Sequence, residues 1–178
     1  MSKEELNNEF DVAVRVQKAF EESTAEKVRK HEALNDEEIR HLCPVAFKNR
    51  MVTSEIQKLG LSKHYSFVPT TKVVNDLRAM GWECVDAVQV KARKKSTNGY
   101  QKHMLTFEHP DYKVEGAEEY PQLLLTNSHD GGNAFTLSAG IFRMICSNGL
   151  VLKTEDYGTS RLVHKGYSFD AVQKMVND

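Results

Sequence analysis

The chain has 178 residues, 40% of them hydrophobic and 28% charged, values of an ordinary globular domain that exclude wholesale disorder. A net charge of -1 gives no global attraction to nucleic acid, so any such binding has to come from a local patch. No apolar run approaches the roughly 20 residues that span a bilayer, and MSKEELNNEF lacks the basic-then-apolar layout of a secretory signal, which predicts a cytoplasmic protein.

Ser2 and Glu5 have the spacing of a capping box, in which each side chain satisfies one orphan N–H of a helix start. Leu6, Phe10, Ala13, Val16 and Phe20 follow at intervals of three and four, one face of an amphipathic helix. Residues 21–32 are charged and read as a solvated helix or a linker, so 1–33 form an N-terminal helical segment and 34–178 a single domain. A second box, Asn35 with Glu38, opens a short helix bearing Ile39 and Leu42, which Pro44 ends; Val45 and Phe47 dock the connection. Residues 53–60 give a further helical turn or two closing at Gly60.

HYSFVP reads as a short strand. Pro69 then leads into Val73, Val74, Leu77 and Met80 at helical spacing, with Gly81 just past the end. Trp82 to Lys95 reads as a long strand, Ser96-Thr97-Asn98-Gly99 as a tight hairpin turn and Tyr100 to Glu108 as the return. Residues 109–121 form an acidic loop, and Leu123 to Leu125 a buried strand. Phe135 to Cys146 alternates with period two; Ser147-Asn148-Gly149 turns the chain into Leu150-Val151-Leu152, Arg161 to His164 gives an edge strand, and Ser168 opens a closing helix. Helices at both ends of consecutive antiparallel strands define an α+β fold: a mainly antiparallel sheet flanked by N-terminal helices and a short C-terminal helix.

Chemistry concentrates in two places. The first is a polar knot, Asn127-Ser128-His129-Asp130-Gly131-Gly132-Asn133, between two apolar runs. Its glycines free the backbone to bring carboxylate, imidazole and N–H groups to one ligand, whereas the structural alternative has Asn127, Asp130 and Asn133 bonding their own loop. His103, Arg143 and Asn148 complete a candidate polar site with Asn127, His129 and Asp130. An arginine inside an apolar strand needs a carboxylate, carbonyls or an anion, and Asp130 or Glu83 would serve Arg143 structurally. His103, His129 and His164 could share a metal; which metal, if any, the residues leave open. Cys146 reads either as a nucleophile with His129 as base or as a buried thiol. The three cysteines lack a CxxC pair and read as reduced thiols. No GxGxxG or GxxxxGK[ST] run is present, and no cofactor is expected.

The second place is a basic hairpin, where Lys91, Arg93, Lys94, Lys95 and Lys102 surround Asn98-Gly99 beside Tyr100. Cations that meet phosphates release counterions, and a tyrosine can stack on an exposed base; the plainer alternative is a solvated hairpin whose lysines discourage edge pairing.

The segments LNDEEIRHLCPVAF, HYSFVPTTKVVNDLRAMGW, QKHMLTF, LLLTNSHDGGNAFTLSAGIFRMICSNGLVL and LVHKG resemble, in sequence and order, the phage- and plasmid-encoded proteins of domain-of-unknown-function family 932, prophage proteins included. The resemblance runs from about Leu34 to the last residue, where such proteins usually continue into a longer helical region. It implies residence on a mobile element among genes of DNA maintenance, recombination and host defence, and it implies no catalytic residues. The combined expectation is a non-catalytic nucleic-acid-binding protein whose partner is single- or double-stranded DNA. The alternatives are a module that binds a host protein and a metal-dependent enzyme acting on nucleic acid or nucleotide.

Overall fold

The computed structural model describes residues 3–62, 64–113, 119–146, 150–162 and 168–177. Helices α1 (Lys3–Lys30), α2 (Asp36–Leu42), α3 (Thr53–Lys58) and α4 (Thr70–Ala79) precede five strands, β1 (Glu83–Gln89), β2 (His103–Glu108), β3 (Gln122–Asn127), β4 (Phe135–Cys146) and β5 (Leu150–Leu162), and α5 (Phe169–Asn177) follows. The strands form one sheet in the order β1-β2-β3-β4-β5, each pairing antiparallel with the next. The fold is α+β, as the sequence predicts. No helix among the described residues is long and apolar enough to cross a membrane.

Alternation along the strands sets two faces. Leu105 and Phe107 of β2, Leu123 and Leu125 of β3 and Leu137 of β4 pack with Val73, Val74 and Leu77 of α4 in one hydrophobic core. Each such side chain contributes about 1.5–3 kcal/mol on burial. Register places His103 opposite Asn127 on the same face, two residues beyond the Leu105–Leu125 pair. The core layer therefore ends in polar groups at that edge of the sheet.

α2 starts as its sequence requires: Asn35 Oδ1 accepts from the Glu38 N–H, and Glu38 returns the bond to the Asn35 N–H. Lys27 of α1 reaches Glu38 at 2.7 Å. α1 ends at His31, which takes a left-handed φ of 53°. The ring repays that geometry by bonding Glu108 Oε1 at 2.6 Å, while Lys113 Nζ lies 2.8 Å from Glu108 Oε2 and donates to the His31 carbonyl. The bond to Glu108 raises the His31 pKa. The tie is therefore at full strength below the ordinary imidazole value of about 6.5 and fades as pH climbs through the raised one.

Of the two readings of the charged stretch that begins at Glu21, the solvated helix holds, because α1 is continuous to Lys30. Three expectations are corrected. The expected apolar face of α1 does not meet the core in its first half: Phe10 is 70% and Val16 65% exposed, and among the described side chains Phe20, Thr24, Lys27 and Val28 of its second half dock it. HYSFVP forms no strand, although Val68 is buried. The two short segments expected after Leu150 are one 13-residue strand to Leu162, with His164 outside the described residues; its register with β4 shifts at three places, one of them at Tyr157 beside Gly158, which has a φ of 135°.

Gly81 ends α4 at a φ of 88°, and a Cβ there would lie 2.4 Å from His109 Nε2. That ring cannot yield freely, since Trp82 and Tyr112 both pack on it, with centroids 5.4 and 5.0 Å away. Gly60 ends α3 at a φ of 65° with open space around it. Gly60→Ala should cost only the left-handed strain, about 1 kcal/mol, whereas Gly81→Ala should cost about 2–3 kcal/mol. Urea titrations of both variants check this, and equal losses would refute the steric account.

Candidate functional site

Beneath the polar edge runs a directed chain of hydrogen bonds. Asn127 Nδ2, at the end of β3, donates to Thr70 Oγ1 at 3.0 Å and to the Val68 carbonyl at 3.1 Å. Thr70, the first residue of α4, lies 2.7 Å from His103 Nε2, and His103 Nδ1 lies 3.1 Å from the Gln101 carbonyl. A carbonyl can only accept, so Nδ1 carries the proton and Nε2 accepts from the threonine hydroxyl. Asn127, Thr70 and His103 are all buried. Burial pushes the His103 pKa down to about 4, because the loss of hydration by the charged ring outweighs the Gln101 carbonyl and the Asp130 carboxylate, which both favour the proton.

The knot closes over this chain. His129 is buried, its ring 5.0 Å from that of His103 and 4.7 Å from that of Phe67. Ser128 Oγ accepts from the Asn133 N–H at 3.0 Å, and Asp130 Oδ1 accepts from the Gly132 N–H at 2.9 Å. Gly131 has a φ of 74°, and a Cβ on it would sit 2.4 Å from Leu61 Cδ2. His129 therefore points inward while Asp130, its neighbour, stays half-buried at the surface. Among the described residues no group of three or more His, Cys, Asp or Glu side chains could hold a metal ion. Burial raises the Cys43 pKa to about 12 and that of Cys84 further. Both are inert thiols.

The basic segment is a wide loop and not the tight hairpin that Asn98-Gly99 predicts. Asn98 has a φ of -66°, Gly99 a φ of 88°, and the Tyr100 N–H bonds the Thr97 carbonyl. That is a type II turn, whereas a two-residue type I′ hairpin needs positive φ at both positions. The paired strands accordingly stop at Gln89 and resume at His103, and one further bond, Val90 N–H to the Lys102 carbonyl, closes the loop. Its stem is fixed by buried Gln101, whose Oε1 accepts from the Gly99 N–H at 2.7 Å, and by the His129 N–H, which donates to the Tyr100 carbonyl at 2.8 Å.

At the surface, Lys91, Arg93, Lys94 and Lys102 from the loop and Asp130 and Asn133 from the knot line one groove of 820 Å³. Lys95 instead lines an adjoining hollow of 760 Å³ with Gln89 and Asn98. Among the described residues no carboxylate forms an ion pair with any of these five cations. Tyr100 is held in place: its hydroxyl donates to Glu55 and Lys48 Nζ sits 4.5 Å above its ring. Lys48 Nζ also donates to Glu55 Oε1 at 2.7 Å, and the hydrogen bonds from Lys48 first and Tyr100 second pull the Glu55 pKa down to about 2.

The candidate residues thus fall into two layers. Lys91, Arg93, Lys94, Lys102 and Asp130 meet at the groove, while His103, Asn127 and His129 meet underneath it. Arg143 stands in β4 opposite Leu152, with its side chain outside what is described; Asn148 and His164 also lie outside the described residues. Thr70 and Gln101 are not among the expected site residues, and Ser128 and Asn133 belong to the expected knot with the loop-bonding role of its structural alternative. Thr70 carries a weak sequence signal as a polar residue just after Pro69 at a helix start; for Gln101 no signal exists.

His103 makes stability depend on pH in a definite direction. The unfolded ring takes a proton near 6.5 and the folded ring only near 4, so its contribution is complete above about 6.5 and is lost as pH falls towards 4. Between pH 7 and pH 5 the loss should be about 2 kcal/mol. His31 acts in the opposite sense, so the measurement is a difference: urea stability of the protein and of His103→Gln at both pH values. An identical pH dependence in the two would refute the assignment.

Residues 60–177 match the family described as Domain of unknown function (DUF932). The chain is also 30% identical, over 152 residues, to the UPF0380 proteins YafZ and YfjQ of Escherichia coli (strain K12). Each alignment covers 85% of this chain and 51% of the relative, so the chain spans about half the length of the curated relatives it matches. No solved structure matches. With the sheet, the knot and the closing helix all inside the matched segment, this chain belongs to the DUF932 family.

Proposed function

We propose that this chain is a non-catalytic nucleic-acid-binding protein, serving DNA maintenance or recombination on a phage, plasmid or prophage. The observation that carries the reading is the groove where Lys91, Arg93, Lys94 and Lys102 stand together without ion-pair partners among the described residues. Unpaired cations on a loop with a rigid stem give up little to meet phosphates, and the counterions released supply the affinity. The inward-facing His129 agrees with binding, and burial keeps Cys43 and Cys84 protonated; the side chain of Cys146, the expected alternative nucleophile, lies outside what is described.

A second reading, a module that binds a host protein, draws on α1, where Phe10, Val12, Val14 and Val16 are exposed on a helix that extends past its docked end. It predicts a partner whose binding is abolished by Phe10→Glu and untouched by changes in the basic loop.

The nucleic-acid reading is tested by fluorescence anisotropy with labelled single- and double-stranded oligonucleotides at about 50 and about 200 mM salt. Binding should weaken steeply with salt, and Arg93→Ala/Lys94→Ala/Lys95→Ala should flatten the log–log slope by about 2. Salt-insensitive binding, or a slope that the triple variant leaves intact, would sink the proposal.

A further inference from the structure

We infer that the groove takes a single strand, with phosphates along the loop and the Watson–Crick edge of a guanine against Asp130. This rests on the nucleic-acid reading and assigns the strand form and base that the site selects. The argument begins with an asymmetry. Cations line the groove from the loop, whereas the knot contributes a carboxylate, a glycine and an amide side chain, Asp130, Gly132 and Asn133. A duplex carries phosphates on both of its outward strands, and one set would be driven against Asp130. A single strand has charge on one side and base edges on the other, which matches the two sides of this groove.

Asp130 is suited to read such an edge. Its Oδ1 is held by the Gly132 N–H at 2.9 Å, and its Oδ2 takes no hydrogen bond among the described residues. The loop that carries it is pinned three ways: by Ser128 Oγ on both backbone groups of Asn133, by the His129 N–H on the Tyr100 carbonyl and by Leu61 against Gly131. The carboxylate is therefore positioned before any ligand arrives. Guanine is the base whose Watson–Crick edge offers two adjacent N–H donors to a carboxylate. Thymine and uracil set carbonyls on either side of a lone N–H, and cytosine and adenine set a ring acceptor beside the amino group. In a duplex that edge is already paired. Tyr100 has Lys48 over one face of its ring and Glu55 on its hydroxyl, so a base could stack only on the other face, and such stacking does not distinguish one base from another. Edge contacts at the knot are left to choose the base. The volume, 820 Å³, suits a stretch on the order of two nucleotides.

The experiment compares thymine-guanine repeats with oligo-thymine and thymine-adenine strands of about twelve nucleotides, the corresponding thymine-guanine duplex, and a uracil-guanine RNA, on the full chain and on Asp130→Asn. The guanine-containing strand should bind at least about five-fold tighter than oligo-thymine and than the duplex. Asp130→Asn should remove that preference while leaving the salt slope on oligo-thymine unchanged. Asn keeps an Oδ1 for the Gly132 N–H, and an unaltered urea midpoint verifies that the knot is intact. Either sugar backbone satisfies the proposal, and the tighter of the two names the source. Equal or tighter duplex binding, or a guanine preference that survives Asp130→Asn, would overturn the assignment. Absence of salt-sensitive binding to every strand would instead overturn the nucleic-acid reading beneath it.

Discussion

A single line of buried hydrogen bonds, from Asn127 through Thr70 and His103 to the Gln101 carbonyl, is what the arrangement of this protein depends on. It joins the start of α4 and the stem of the basic loop to the paired ends of β2 and β3, whose own register the sheet already fixes. Apolar packing is non-directional; this chain of donors and acceptors is not. Its polarity permits only the neutral ring protonated at Nδ1, and loss of any member strands a buried partner at a cost of about 1–3 kcal/mol. Gln101 extends the same line outward, since its backbone receives His103 and its side chain receives Gly99.

Charge is organised on a shorter scale than the whole molecule. Acidic and basic residues nearly cancel, and at physiological salt a field is screened within about 8 Å, so the sum says nothing about the groove. What matters is that the acids elsewhere are spent locally: Glu38 on Lys27, Glu55 on Lys48 and Tyr100, and Glu108 on His31 and Lys113. The loop cations are left without such partners among the described residues. The field of these cations is therefore local to the groove, with little reach beyond it.

Local rules were readable from residues and nonlocal ones were not. The Asn35–Glu38 box and the closing glycines Gly60 and Gly81 follow from a few neighbouring side chains, as does α4 from the spacing of Val73, Val74 and Leu77. Asn98-Gly99 misled because the dipeptide suits both type I′ and type II turns, and what selects between them here is the stem, held by Gln101 and by His129 some thirty residues away. β5 was split because its middle, KTEDYGT, has the polarity of a loop; an exposed edge strand needs no apolar alternation. The shared metal that His103 and His129 leave open, and the burial of both, are not legible locally, because nothing in NSHDGG says that the His129 side chain turns inward onto Phe67 while Asp130 does not.

The loop thus has a stem written in the core and a tip written nowhere else. Lys91, Arg93, Lys94 and Lys95 are exposed, and no buried group relies on them, whereas Gln101, two residues from the turn glycine, is tied to the sheet. In evolutionary terms the two parts are uncoupled. Substitutions at the tip change the charge of the groove with little effect on folding, whereas those at the stem change folding itself. The rim of the groove can therefore be rewritten at a handful of exposed positions while the buried line of Asn127, Thr70 and His103 stands unchanged beneath them.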